Sequence, residues 1–167
     1  MKILPACEGP SEVYLLKSLI DRGYLSFDCP LLLEEPIKLR QLDEIAPIIN
    51  SLPVNEEIIV YRIGDTLKEE LSLKKFKLRK QFIETYRICT KTEIEILVIL
   101  HEGLYDDYIK SHRDIKPKSY LQSVMRDYDP KTYFEKHDVF EDIREYKRIK
   151  KHQKDELYLF DLLNKDK

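Results

Sequence analysis

Short apolar runs broken by charged turns alternate along the first hundred residues, and their period separates strands from helices. Lys2-Ile3-Leu4-Pro5-Ala6-Cys7 is mostly apolar and ends at Glu8-Gly9-Pro10, which predicts a strand followed by a turn. Val13, Leu16, Lys17 and Ile20 then recur at helical spacing. Pro10 suits the first helical position, where its missing N–H would be an orphan, and Gly23 is placed to stop the helix one turn after Ile20. A second helix is expected through Leu39, Leu42, Ile45, Ile48 and Ile49, bent or started late by Pro47 and closed by Pro53. The run from Glu57 to Ile63 is β-branched and uninterrupted, the signature of a buried parallel strand. Beyond Gly64-Asp65 a charged connector leads to a further strand from Phe82 to Cys89. Thr92-Glu93-Ile94-Glu95 has the form of a capping box and introduces a helix reaching about Ile109. From Pro117 onward the pattern predicts helices only, at 117–126, at 130–150 with a break near His137, and at 154–164.

Strands alternating with helices, with room for one more short strand between the first two helices, describe an α/β fold. Its core is an open, mostly parallel sheet with helices packed on its faces. Residues 1–115 form that core and 116–167 a helical C-terminal extension of the same domain. No internal repeat or linker interrupts them, and 167 residues suit one domain. The 43% hydrophobic content and only 4 glycines exclude disordered and collagen-like classes.

Charge changes the picture little: 29 basic against 31 acidic residues give a net charge of −2, so binding to nucleic acid would need a local patch. Cys7, Cys29 and Cys89 are odd in number and widely spaced, which argues against a disulfide framework or zinc ribbon and for free thiols in a reducing compartment. The longest apolar run, Ile94 to Leu100, falls well short of the ~20 residues that span a bilayer. With no signal peptide at the N-terminus, these features predict a cytoplasmic protein without membrane partners.

In an open parallel sheet the ligand crevice lies outside the carboxyl ends of the strands, so Glu8 and Asp65, each beside a glycine, are expected to converge there. Two carboxylates about 4 Å apart repel by roughly 4 kcal/mol at an effective dielectric of about 20, a cost that a hard divalent cation would offset. Such an ion stabilises charge on a phosphoryl group and helps to generate hydroxide. Simpler roles stand beside this one. Glu12 in the first helical turn offsets the helix dipole, Glu95 is by spacing the partner of Thr92 in the capping box, and Asp65 suits an Asx-turn. Glu8 is the hardest to explain by packing.

Glu8-Gly9-Pro10-Ser11-Glu12, after a strand and before a helix, resembles the E-G-x-[ST]-E first motif of Toprim domains in OLD- and RloB-like defence proteins. The segment from Glu93 to His101 is similar to the E-x-W-L-L-L-H stretch of the same small proteins, with the same six-residue step from Glu95 to His101. Together the two cover residues 1–110. The resemblance implies a Toprim fold, a magnesium or manganese site, and phosphodiester chemistry on nucleic acid, often in phage defence. It makes Glu8 the first-motif acid, a metal ligand or general base, and Asp65 the acid after the third strand. It also gives His101 a place behind the metal ligands or in acid–base chemistry. The family pattern after that strand is D-x-D, whereas this chain has Asp65-Thr66-Leu67. Glu69 or Glu70 would then stand in for the second acid, or the site would hold metal weakly or be inactive.

A surface for phosphates is offered by Lys74, Lys75, Lys77, Arg79 and Lys80, five basic residues within seven positions. The same run also reads as a solvated connector. If it grips a backbone, binding is weak, sequence-independent and salt-sensitive. The run of Arg144, Lys147, Arg148, Lys150, Lys151 and Lys154 shares its helix with Glu141, Asp142 and Glu145 and reads as a solvated face. His112-Arg113-Asp114 imitates a kinase catalytic loop, but Ser119 stands where a magnesium-binding Asn is needed and no glycine-rich loop exists. His137 and His152 lack zinc spacing, and most of the 11 tyrosines fall at the rims of amphipathic helices. Two functions are therefore expected as alternatives. One is a metal-dependent nuclease, and the other a degenerate Toprim-like subunit that binds a protein partner encoded nearby; either could be a homodimer.

Overall fold

The computed structural model describes residues 1–27, 29–65, 70–76, 82–90, 94–150 and 156–166. Its core is a five-stranded, all-parallel sheet of β1 (Lys2–Cys7), β2 (Ile37–Lys38), β3 (Ile58–Gly64), β4 (Ile83–Cys89) and β5 (Leu157–Tyr158), in the order β2-β1-β3-β4-β5. Long ladders join β1 to β3 from Lys2↔Ile58 to Cys7↔Ile63, and β3 to β4 from Ile58↔Ile83 to Gly64↔Cys89. Both strands that sequence periodicity predicts after the first helix are thus present; β3 is largely buried, whereas β4 is buried at its ends and exposes Glu84 and Tyr86 between them.

Alternation along the strands divides the interior into two layers. Leu4, Ala6, Ile58, Val60 and Ile83 face one side and pack with Leu42, Ile45, Ile49 and Phe76. Cys7, Ile63 and Ile88 face the other, where α1 (Pro10–Asp21) and α3 (Glu95–His101) supply Leu15, Leu16, Leu19 and Ile96 to Ile99. The helix expected between residues 39 and 49 is a 3₁₀ turn (Leu42–Ile45) that runs into the short α2 (Ala46–Asn50), with Pro47 in its first turn. Because α1 and α2 lie on opposite faces, the chain leaves β1 toward β2 on one side and returns to β3 on the other. Strand order therefore reverses between β1 and β3, which opens a crevice at their carboxyl ends.

Two expectations fail. The helix beginning at Glu95 ends at His101 rather than near Ile109, because Gly103 takes a left-handed φ of 69°. Its N–H donates to Leu100 O at 2.9 Å and that of Leu104 to Ile99 O at 2.9 Å, which closes the helix end. Gly23 ends α1 in the same way. A short α4 (Tyr105–Asp107) and a wider π turn (Tyr108–His112) follow Gly103. The second failure concerns the C-terminal region, which is not helical throughout. After α5 (Pro117–Val124), α6 (Pro130–Lys136) and α7 (Phe140–Ile149), the chain forms β5 and a 3₁₀ turn (Leu159–Leu162) where a helix over 154–164 is predicted. Two residues of strand carry no legible alternation; the edge of β4 organises them through Ile88↔Leu157 and Cys89↔Tyr158.

Leu121, Phe134, Phe140, Ile143, Leu159, Leu162 and Leu163 join the same buried cluster as α1 and α3, so the extension completes that layer. Its basic run sits on α7 as an ion-paired face, with Arg144–Glu141 at 3.2 Å, Arg148–Glu145 at 3.1 Å and Lys147 Nζ 3.5 Å from the centre of the Phe160 ring. Lys151 and Lys154 lie outside the described residues. Among the described residues, no helix is long and apolar enough to cross a membrane. Leu162 is 3% exposed, so Leu162→Ala is expected to lower unfolding free energy by about 2–5 kcal/mol, measured by urea denaturation. A loss below about 1 kcal/mol would show that the last turn is not part of the cooperative core.

Candidate functional site

The crevice between β1 and β3 is built by three backbone connections. Glu8 N–H donates to Ile63 O at 2.8 Å, extending the β1 ladder by one residue, and Thr90 N–H donates to Gly64 O at 3.0 Å, doing the same for β4. Glu8 then folds its side chain over the end of β3, where its Oε2 accepts the Asp65 N–H at 3.1 Å. This close approach depends on the bare Cα of Gly64, since a Cβ there would lie 2.2 Å from Glu8 Oε2 and 2.7 Å from Glu8 Cβ. The glycine beside the acid, legible in the sequence, thus has a specific steric duty.

Two further glutamates approach the same edge. Glu12, one turn into α1, accepts the Thr90 hydroxyl on Oε1 at 3.4 Å, and its Oε2 lies so near Gly9 that a Cβ there would stand 2.6 Å away. Glu95 is 4% exposed and takes the Ser11 hydroxyl on Oε1 at 2.9 Å. The capping-box role expected for Glu95 does not fit its position, since it is the first residue of α3 with Ile94 as the cap. Thr92 lies outside the described residues.

Burial pushes the Glu12 carboxyl above its ordinary range, and the negative charges of Glu95 and Glu8 push it further. Its own backbone N–H and the Thr90 hydroxyl oppose the rise. Burial likewise raises the thiol of Cys7, with the Glu12 charge adding to it, so Cys7 is an inert packing residue as its place on a buried strand suggests. Glu12 at this site therefore does more than offset a helix dipole.

The other candidates are placed differently. Asp65 stands at the crevice rim, exposed, and joins the site through its backbone N–H. Glu69, Lys77, Arg79 and Lys80 lie outside the described residues, as do Thr66 and Leu67 of the departed D-x-D pattern. Glu70 pairs with Arg87 at 3.6 Å. Lys74 is exposed on a 3₁₀ turn with Lys75 beside it. His101 ends α3, about 9 Å along the helix axis from Glu95, where its Nδ1 meets Asp142 Oδ2 at 2.8 Å.

Ser11 and Thr90, which hydrogen-bond the site glutamates, the buried Tyr128 hydroxyl and the buried Arg62 were missed by sequence reading. Tyr128 has a buried hydroxyl that makes no hydrogen bond among the described residues. Burial raises its pKa first and the negative charge of Glu95 second. Arg62, 3% exposed, donates to the carbonyls of Leu39 and Arg40 at 3.0 and 3.2 Å, satisfying the chain end beyond β2. A charged residue inside the β-branched run was the signal for Arg62; nothing local marks Tyr128.

Among the described residues, no group of three or more His, Cys, Asp or Glu is arranged to hold a metal ion. Magnesium needs less from a protein, one or two carboxylates with the remaining positions filled by water or phosphate. Comparisons with family models, curated proteins and solved structures return no match to this chain.

Two outcomes follow from this geometry. Glu12→Gln removes a carboxyl that ionises less readily folded than unfolded. In cation-free buffer the wild type loses stability as pH rises from about 4.5 through the raised folded value, and the variant does not. The variant is therefore expected to melt higher than wild type at pH 7–8, with the gap closing below pH 4.5; an equal gap at all pH values would refute a buried, charge-crowded Glu12. Gly64→Ala is expected to cost about 1–3 kcal/mol in chemical denaturation, because the new methyl group collides with Glu8.

Proposed function

We propose that this chain is a Toprim-like, metal-dependent phosphodiester hydrolase acting on nucleic acid. The observation that carries the reading is the gathering of Glu8, Glu12 and Glu95 where strand order reverses, with Glu12 held protonated more readily than an ordinary carboxyl by burial and by its neighbours. Such a concentration of negative charge is resolved by a cation, and the order of the E-G-x-[ST]-E and Glu95-to-His101 segments supports the same assignment.

In this reading Glu8 and Glu12 hold magnesium or manganese, which when bound supplies charge stabilisation at a phosphoryl oxygen and a more acidic water. Glu95, fixed by Ser11, keeps negative potential behind them. Glu12 takes up or releases a proton as the cation leaves or enters, because its carboxyl is already raised. Asp65 at the rim, and the basic residues from Lys74 to Lys80 by their place in the sequence, are the groups that would meet an incoming backbone. Phage defence is the biological setting that the motif resemblance suggests.

A second reading, a catalytically degenerate Toprim-like interaction subunit, is favoured by one observation: the described carboxylates form no three-ligand set. Metal titration separates the two. For the enzyme, magnesium or manganese raises Tm and stimulates cleavage of single- or double-stranded DNA or RNA. Glu8→Ala and Glu12→Ala are expected to lower that rate by about 100-fold or more, since even outer partners of metal sites are worth about 10–100-fold. Unchanged cleavage in both variants would dismiss the site. Absence of any metal response, with a stable protein complex recovered from cells, would establish the subunit instead.

A further inference from the structure

The opposite end of α3 carries a second cluster of titratable side chains, where the core meets the C-terminal helices. His101 Nδ1 lies 2.8 Å from Asp142 Oδ2 at the start of α7, and His101 Nε2 lies 3.3 Å from Nδ1 of His137, just past α6. The two imidazole planes are 84° apart. Tyr133 stacks on His137 with ring centres 4.2 Å apart, and its hydroxyl donates to Glu102 Oε1 at 2.7 Å, so the His137 ring has little freedom.

A neutral imidazole has one N–H and one lone pair. In the tautomer that gives the Nδ1–H of His101 to Asp142, Nε2 is a lone pair facing His137, whose Nδ1 proton joins the two rings and leaves to solvent when a cation takes its place. Two imidazole nitrogens on one tetrahedral zinc, each at about 2.0–2.1 Å, stand about 3.3–3.4 Å apart, the separation seen between these rings. A carboxylate on the far nitrogen of a ligating histidine is the usual orienting partner in such sites, and Asp142 is in that position. Asp142 and Glu102 give the surroundings negative charge. Arg22, which reaches this corner, is turned to the backbone, donating to the Glu135 and His137 carbonyls at 3.3 and 3.5 Å.

We infer that His101 and His137 form a two-histidine chelate for a borderline transition-metal cation, zinc foremost, with Asp142 orienting His101 and water in the remaining positions. The two rings come from the end of α3 and the end of α6, so the cation fastens the C-terminal helices to the core. Magnesium and manganese favour oxygen donors and belong to the glutamate crevice, so the two sites differ in chemistry as well as place.

Zinc chloride titrated calorimetrically into the full chain is expected to show a saturable site that magnesium does not compete for. His101→Gln and His137→Gln are expected to weaken it at least tenfold and Asp142→Asn by about 10–100-fold, while Glu8→Ala and Glu12→Ala leave it unchanged. In the wild type, zinc should shift the imidazole NMR resonances of His101 and His137 and not those of His112 and His152. That reading survives even if a histidine variant fails to fold. Binding that persists in both folded histidine variants, unshifted His101 and His137 resonances, or loss confined to the Glu8 and Glu12 variants would overturn the proposal. Failure of the nuclease reading alone would leave it standing.

Discussion

The ladder between β1 and β3 is the constraint on which the rest of this protein depends. It holds Lys2–Cys7 against Ile58–Ile63 residue for residue, and its last hydrogen bond, from Glu8 N–H to Ile63 O, decides where the first acid emerges. The chain leaves these two strands on opposite faces of the sheet, which is the arrangement that opens a gap beyond their carboxyl ends. Gly64 lets Glu8 lie across that gap, and the Asp65 N–H holds it there. A register slip of one residue would invert the faces of the strand and dismantle both core and crevice together.

The electrostatics of the crevice follow from this placement. At the end of this buried parallel sheet burial dominates the ionisation of Glu12, and the charges of Glu95 and Glu8 add to it. Hydroxyl groups of Ser11 and Thr90 satisfy individual oxygens but supply no positive charge. The one buried guanidinium near this edge, Arg62, is committed to the carbonyls of Leu39 and Arg40 on the other face.

The C-terminal third contributes more than packing. It supplies the last strand, it buries the Tyr128 hydroxyl, and it brings His137 and Asp142 to His101. Several tyrosines that look like rim residues are anchored through their hydroxyls, Tyr120 to Asp107 and Tyr133 to Glu102. Each of these bonds ties a C-terminal helix to the segment around α3 and α4. The two candidate sites consequently share one helix, with Glu95 at its start and His101 at its end.

The three long strands, the first helix with its Pro10 start and Gly23 stop, and the glutamate at the end of β1 are local matters. Continuous β-branched runs, helical spacing and a proline or glycine at a terminus act over a few residues, so the amino-acid order alone determined them. Glu95 was visible but misassigned, because a capping box and a buried partner for Ser11 look alike until the helix boundary is known. Only the tertiary structure decided that β5 exists, that the Tyr128 hydroxyl is buried and that His101 meets His137, 36 positions away. Such pairings depend on how helices dock on a sheet, and the energy of docking is spread over many apolar contacts that leave no periodic mark at the residues they bring together.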